Sequence, residues 1–80
     1  MITIRYFASL RDEMGCSETT IDQTPASISA LIDQLMAADP RAGLLREPFV
    51  RIIVNDEISN ADARLTAGDT VAFCPPFSGG

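Results

Sequence analysis

The chain has 80 residues and a net charge of −5, from six Arg and eleven acidic residues, with neither His nor Lys. Without His the commonest neutral-pH general base and metal ligand is missing, and without Lys there is no Schiff base, phosphate-loop amine or acylable side-chain amine. The acidic balance speaks against nucleic acid or an anionic membrane surface, and points to a protein partner with a basic docking face.

Ile2 to Ala8 alternates, with Ile2, Ile4 and Tyr6 on one face and Thr3, Arg5 and Phe7 on the other, which predicts a strand. Ser9 is the expected cap of a short helical turn over 10–14 that Gly15 closes in a left-handed conformation. Residues 17–22, rich in Thr and Ile, suit a second, more exposed strand. Thr24 is the expected N-cap of the main helix, and Pro25 fits its first turn. Ile28, Leu31, Ile32, Leu35 and Met36 then form one apolar stripe, which Asp39-Pro40 ends. Residues 41–47 give one further turn through Leu44 and Leu45, broken by Pro48. Val50 to Val54 is an apolar run around Arg51 and predicts a buried strand; Asn55-Asp56-Glu57 turns the chain and Ile58 starts a brief return strand. Residues 61–67 are polar and loop over an edge with Leu65 tucked in. Gly68-Asp69 leads into the last strand, Thr70 to Cys74, where Val71 and Phe73 share a face.

One amphipathic helix must bury its stripe on the one sheet face available, built from Ile2, Ile4, Tyr6, Ile52, Val54, Val71 and Phe73. The expectation is an α+β domain spanning 1–80, a helix over a small mixed sheet, with no repeat or linker. Cys16 and Cys74 are too few for a disulfide scaffold and lack the spacing of a zinc or redox site, so no metal is expected. The N-terminal residues alternate from the start, so neither a signal peptide nor a membrane span is expected, and a cytoplasmic location is the default. Asp12-Glu13 diverge on a helix and read as a solvated turn; Asp56-Glu57 read as turn chemistry.

After Cys74 come Pro75-Pro76, Phe77-Ser78 and Gly79-Gly80. Residues 75–80 are expected to form a flexible tail protruding from the sheet, with a reach of roughly 20 Å at about 3.3–3.6 Å per residue. The prolines stiffen its base, Phe77 offers an apolar anchor, and the glycines lack the Cβ that would obstruct a narrow channel. A terminal α-carboxyl with a reference pKa of about 3.3–3.7 is an anion at neutral pH and a poor electrophile. Chemistry on it requires that its oxygen first be turned into a leaving group. By strand parity Phe7 and Cys74 lie together on the face away from the helix, near the tail, as an exposed apolar patch fit for a partner.

The run Leu65-Thr66-Ala67-Gly68-Asp69-Thr70-Val71-Ala72-Phe73 into Pro75-Pro76 and Gly79-Gly80 carries a family resemblance. Together with Tyr6-Phe7-Ala8, Arg11 and Gly15 near the start and Val54-Asn55 in the middle, it resembles the ubiquitin-like sulfur carriers, nearest the small subunits of molybdopterin synthase. The likeness covers essentially the whole chain. It implies a β-grasp fold with the first and last strands as parallel neighbours. It also implies that Gly80 is adenylated by an E1-like enzyme at the expense of ATP, and converted to a thiocarboxylate with sulfur from a donor. The tail is then threaded into the molybdopterin synthase large subunit, where the sulfur passes to cyclic pyranopterin monophosphate. On this reading the carrier binds no cofactor and is inert alone. Gly79 and Gly80 are the reacting end, and Phe7, Cys74, Pro75, Pro76, Phe77 and Ser78 bind partners. The sequence departs from the family at Cys74, where a second aromatic is expected, and at Phe77, where a smaller aliphatic is usual, which implies a reshaped partner groove. Carriers for thiazole or cysteine biosynthesis, tRNA thiolation or protein conjugation belong to the same class. A β-grasp interaction module without tail chemistry is the alternative of another class.

Overall fold

The opening alternation becomes strand β1 (Ile2–Tyr6), whose residues Ile2, Ile4 and Tyr6 are buried while Arg5 is exposed. The structure, a computed structural model, describes residues 1–75. After β1 follow helix α1 (Ser9–Met14), β2 (Glu18–Ile21), helix α2 (Ile28–Ala38) and a 3₁₀ segment (Pro40–Arg46). The described chain closes with β3 (Arg51–Val54), β4 (Glu57–Ser59) and β5 (Thr70–Cys74). The five strands lie in the order β2-β1-β5-β3-β4. β1 and β5 run parallel, with Ile4 beside Val71 and Tyr6 beside Phe73, and the other pairs are antiparallel. This is the β-grasp arrangement, and it puts the strand that leads into the tail at the centre of the sheet. The expected protruding diglycine tail lies outside the described residues, apart from Pro75.

Helix α2 lays Ile28, Leu31 and Ile32 onto Ile2, Ile4, Tyr6, Ile52, Val71 and Phe73, all within one buried cluster. Burying each large side chain of this kind stabilises the fold by about 1.5–3 kcal/mol. Leu10 and Met14 of α1, Ala42 and Leu45 of the 3₁₀ segment, Val50 and Leu65 complete the cluster. Leu35 is only partly buried, and Met36 is 36% exposed, so the last turn of the expected stripe lies at the rim. Met36 still rests on the 3₁₀ segment: its terminal methyl is 3.5 Å from where a Cβ on Gly43 would stand. Arg46 clasps the same two elements from outside, pairing with Asp33 and donating to Ser29 Oγ and Ser29 O, each at 3.2 Å.

Two helix starts differ from expectation. Ser27, not Thr24, caps α2, its Oγ accepting from Ala30 N at 3.2 Å. The cause is long-range. Ser27 pairs with Arg64 across an isolated bridge, and Ala26 O accepts from Leu65 N, which holds this segment extended. The loop after β4 also takes the first free amides of the helix, Ile28 N on Ala63 O and Ser29 N on Ala61 O. In α1, Ser9 lies inside the helix, and the N-cap is Ala8, at φ 52° with no side-chain cap. Gly15 does close α1 in the left-handed conformation, at φ 79°.

The β3–β4 turn has Asn55 at φ 51° and Asp56 at φ 69°, the type I′ pattern of a two-residue hairpin. Asn55 has a second task. Its Nδ2 donates to Asp69 Oδ1 at 2.9 Å, its Oδ1 accepts from Thr70 N at 3.0 Å, and its own N donates to Thr70 O. Asp69 also accepts from Thr66 N, and these donors hold its carboxyl below the ordinary carboxylate value. The hairpin turn is thereby fastened to the start of β5, which fixes the register of the strand that bears the tail.

Candidate functional site

The outward face of the sheet follows from the same register. One row crosses all five strands, Glu18, Arg5, Ala72, Ile53 and Ile58, because each is the paired neighbour of the next. The next row toward the tail begins from Tyr6 beside Phe73, continued by one residue, and reads Phe7, Cys74 and Arg51. Phe7 N donates to Phe73 O at 3.1 Å, so Phe7 is tied to the end of β5.

Phe7 is 39% exposed, and the Arg5 guanidinium carbon lies 5.3 Å from its ring centroid. Arg5 Nε is in turn 3.6 Å from Glu18 Oε1. The cation over the ring stiffens an otherwise loose aromatic, at roughly 0.5–1 kcal/mol for an exposed site. Ala72 is buried although it points outward, because larger neighbours rise around it. Its small side chain contributes to a depression of about 380 Å³ lined by Arg5, Phe7, Ile53, Asn55, Asp56, Thr70 and Ala72. Ile58, 79% exposed, extends the apolar surface beyond Ile53.

Cys74 is half-buried opposite Arg51. Burial pushes its thiol up from the ordinary 9.0, and the opposing pull of the Arg51 charge is the smaller effect. At neutral pH it is therefore a thiol, a poor nucleophile, and fits a small contact residue better than a sulfur relay. Tyr6, on the inner face, stacks on Phe73 with ring centroids 6.1 Å apart, and burial pushes its hydroxyl up to about 12. It is a core phenol and not an acid catalyst. Cys16, Asp12 and Glu13 are exposed, and no group of three His, Cys, Asp or Glu suited to a metal occurs among the described residues. No described helix is long and apolar enough to cross a membrane.

Of the residues expected to bind partners, the fold thus sets Phe7 and Cys74 at one end of one sheet face, and Pro75 follows directly after the strand. Pro76, Phe77, Ser78, Gly79 and Gly80 lie outside the described residues. Two neighbours were not singled out from the sequence. Arg5 shares the alternation of Phe7, a signal that was present; Arg51 sits in an apolar run whose outward parity is visible only once its pairing with Cys74 is known.

The tail itself is joined to this fold by a family model that matches residues 4–80. The chain belongs to the ThiS family. This is the ubiquitin-like sulfur-carrier family whose likeness the sequence carries. A relative of full length is the molybdopterin synthase sulfur carrier subunit of Escherichia coli (strain K12), 33% identical over 81 residues that cover all of both chains. SAMP1 from Haloferax volcanii superposes with a TM-score of 0.81 at 25% identity, covering 99% of this chain and 98% of that one. A chain of the Amycolatopsis orientalis BexX/CysO complex gives a TM-score of 0.77 at 23% identity, with 100% of each chain covered, a likeness of fold. Whether the outward rows form a docking face at the root of the tail is tested at Phe7. Phe7→Glu is expected to weaken binding to a tail-receiving partner by tenfold or more in calorimetric titration. Its stability cost should stay near the roughly ±0.5–1 kcal/mol of a surface change. A large fall in melting temperature would place Phe7 in the core instead.

Proposed function

We propose that this chain is the sulfur-carrier subunit of a molybdopterin synthase. One observation carries the reading: the full-length match to the Escherichia coli carrier subunit, which includes the end of the chain. The chemistry divides between proteins. A carboxylate cannot lose oxide to a sulfur nucleophile. An E1-like partner therefore joins Gly80 to AMP from ATP, releasing pyrophosphate, and makes the oxygen a leaving group. Hydrosulfide-level sulfur from a donor then attacks the Gly80 carbonyl, AMP leaves with the C–O bonding pair, and a thiocarboxylate remains on Gly80. The large subunit receives the tail and directs that sulfur to cyclic pyranopterin monophosphate.

The chain's own share is to hold the reacting group on a slim stalk at the centre of a rigid sheet. Gly79 and Gly80 pass a narrow channel, Pro75 and Pro76 limit the entropy lost on insertion, and Phe77 and Ser78 contact the channel wall. Phe7 and Cys74 meet the partner outside it. The absence of His and Lys suits this division, since the chain has no imidazole and no side-chain amine of its own.

The likeness to SAMP1 favours a second reading, in which the activated glycine serves another sulfur transfer or is joined to a protein amine. Intact mass of the protein purified from its host tests the proposal. A fraction about 16 Da heavier, with sulfur in place of oxygen at Gly80, is expected. Persistent absence of that species in cells actively making the cofactor would overturn it, and a glycine-linked adduct on other proteins would support the second reading.

A further inference from the structure

Net charge misdirects on the tail-bearing face. Its rows hold two of the six arginines, Arg5 and Arg51, and only one of the eleven carboxylates, Glu18; Asp56 stands at the rim. Arg5 is already engaged, by Glu18 and by the Phe7 ring. Arg51 is exposed and has no ion pair among the described residues, where the pairs are Arg5 with Glu18, Arg41 with Asp39 and Arg46 with Asp33. An unpaired surface arginine is ordinary. The placement of this one is not: it stands opposite Cys74, one residue before the tail begins, in the row next to the depression around Ala72.

The two ends of the face also differ in sign. Arg51 lies at the tail end of β3, whereas Asp56 lines the depression from the turn at the opposite end. A partner with a carboxylate facing Arg51 is attracted in one orientation. Rotated by half a turn, the same carboxylate would face Asp56, at an electrostatic cost. We propose that Arg51 is a specificity-determining contact that pairs with an Asp or Glu on the adenylating protein that receives the tail. Arg51 is a local positive charge on an acidic molecule, so the partner is acidic at this contact, opposite to what the whole-chain charge indicates. The proposal rests on the sulfur-carrier reading and adds the chemistry of the docking surface to it.

The experiment is ATP–pyrophosphate exchange with the purified E1-like enzyme of the same organism, with the full-length carrier as the varied substrate. Arg51→Glu is expected to raise KM roughly tenfold or more with kcat nearly unchanged, because the contact lies outside the reacting group. Arg51→Lys should recover most of the affinity, since charge is kept. The wild-type KM should rise with salt more steeply than that of Arg51→Glu. Arg64→Glu makes the same charge change at an exposed residue of the loop that pairs with Ser27, and should leave KM unaltered. An unchanged KM for Arg51→Glu, or an equal rise for Arg64→Glu, would overturn the proposal while leaving the carrier reading intact. No exchange even with the wild-type protein would remove both.

Discussion

Deletion of Gly80 is expected to abolish sulfur transfer while the domain melts at its usual temperature. The truncated chain still ends in a glycine carboxylate, so the chemical group is retained and only its position changes. One residue shortens the reach by about 3.3–3.6 Å. A displacement of 1 Å at a reacting centre costs on the order of a hundredfold, so the loss should be complete for practical purposes. Stability should be untouched, since among the described residues the buried cluster ends at Phe73. Cofactor formation in a reconstituted synthase, run beside a thermal melt, measures both quantities. Continued synthesis with the shortened protein would sink the carrier reading.

Phe73→Ala should have the largest effect on the fold. The side chain is fully buried, stacks on Tyr6, and belongs to a strand with neighbours on both sides. Truncating such a phenylalanine costs about 3–5 kcal/mol, through lost transfer energy and the cavity left behind. A domain of this size has only about 4–12 kcal/mol in total. At about 4–8 °C per kcal/mol the melting temperature should fall by at least about 12 °C, and at the upper end the variant is unfolded at 37 °C. A fall under about 5 °C in a circular-dichroism melt would show that the surrounding core closes over the gap.

Much of this architecture was legible because its signals are local. The alternation Ile2, Ile4, Tyr6 needed nothing beyond the period of a strand, and Ile28, Leu31 and Ile32 nothing beyond that of a helix. Gly15 announced the end of α1 by its tolerance of a left-handed backbone. Two of the failures, at Thr24 and Arg51, depend on residues distant in sequence. Thr24-Pro25 is a good local helix start, but the loop around Arg64 and Leu65 holds the backbone extended until Ser27. Ala8 adopts φ 52°, a conformation that alanine does not advertise, where the chain turns from β1 into α1. At the site, strand parity sufficed to put Phe7 and Cys74 on one face. The role of Arg51 stayed hidden, because composition sums charge over the molecule and only the register of β3 against β5 shows where it falls.

The parallel pairing of β1 with β5 has a consequence for biosynthesis. Ile2, Ile4 and Tyr6 are translated well before their central neighbours, Val71 and Phe73. Pairings so far apart in sequence are slow to form and cannot be anticipated by a partial chain. A nascent or prematurely terminated polypeptide lacking residues 70–74 has no middle to its sheet, leaves its apolar strand open, and is a substrate for proteolysis. The chains that complete the sheet are therefore those translated through β5.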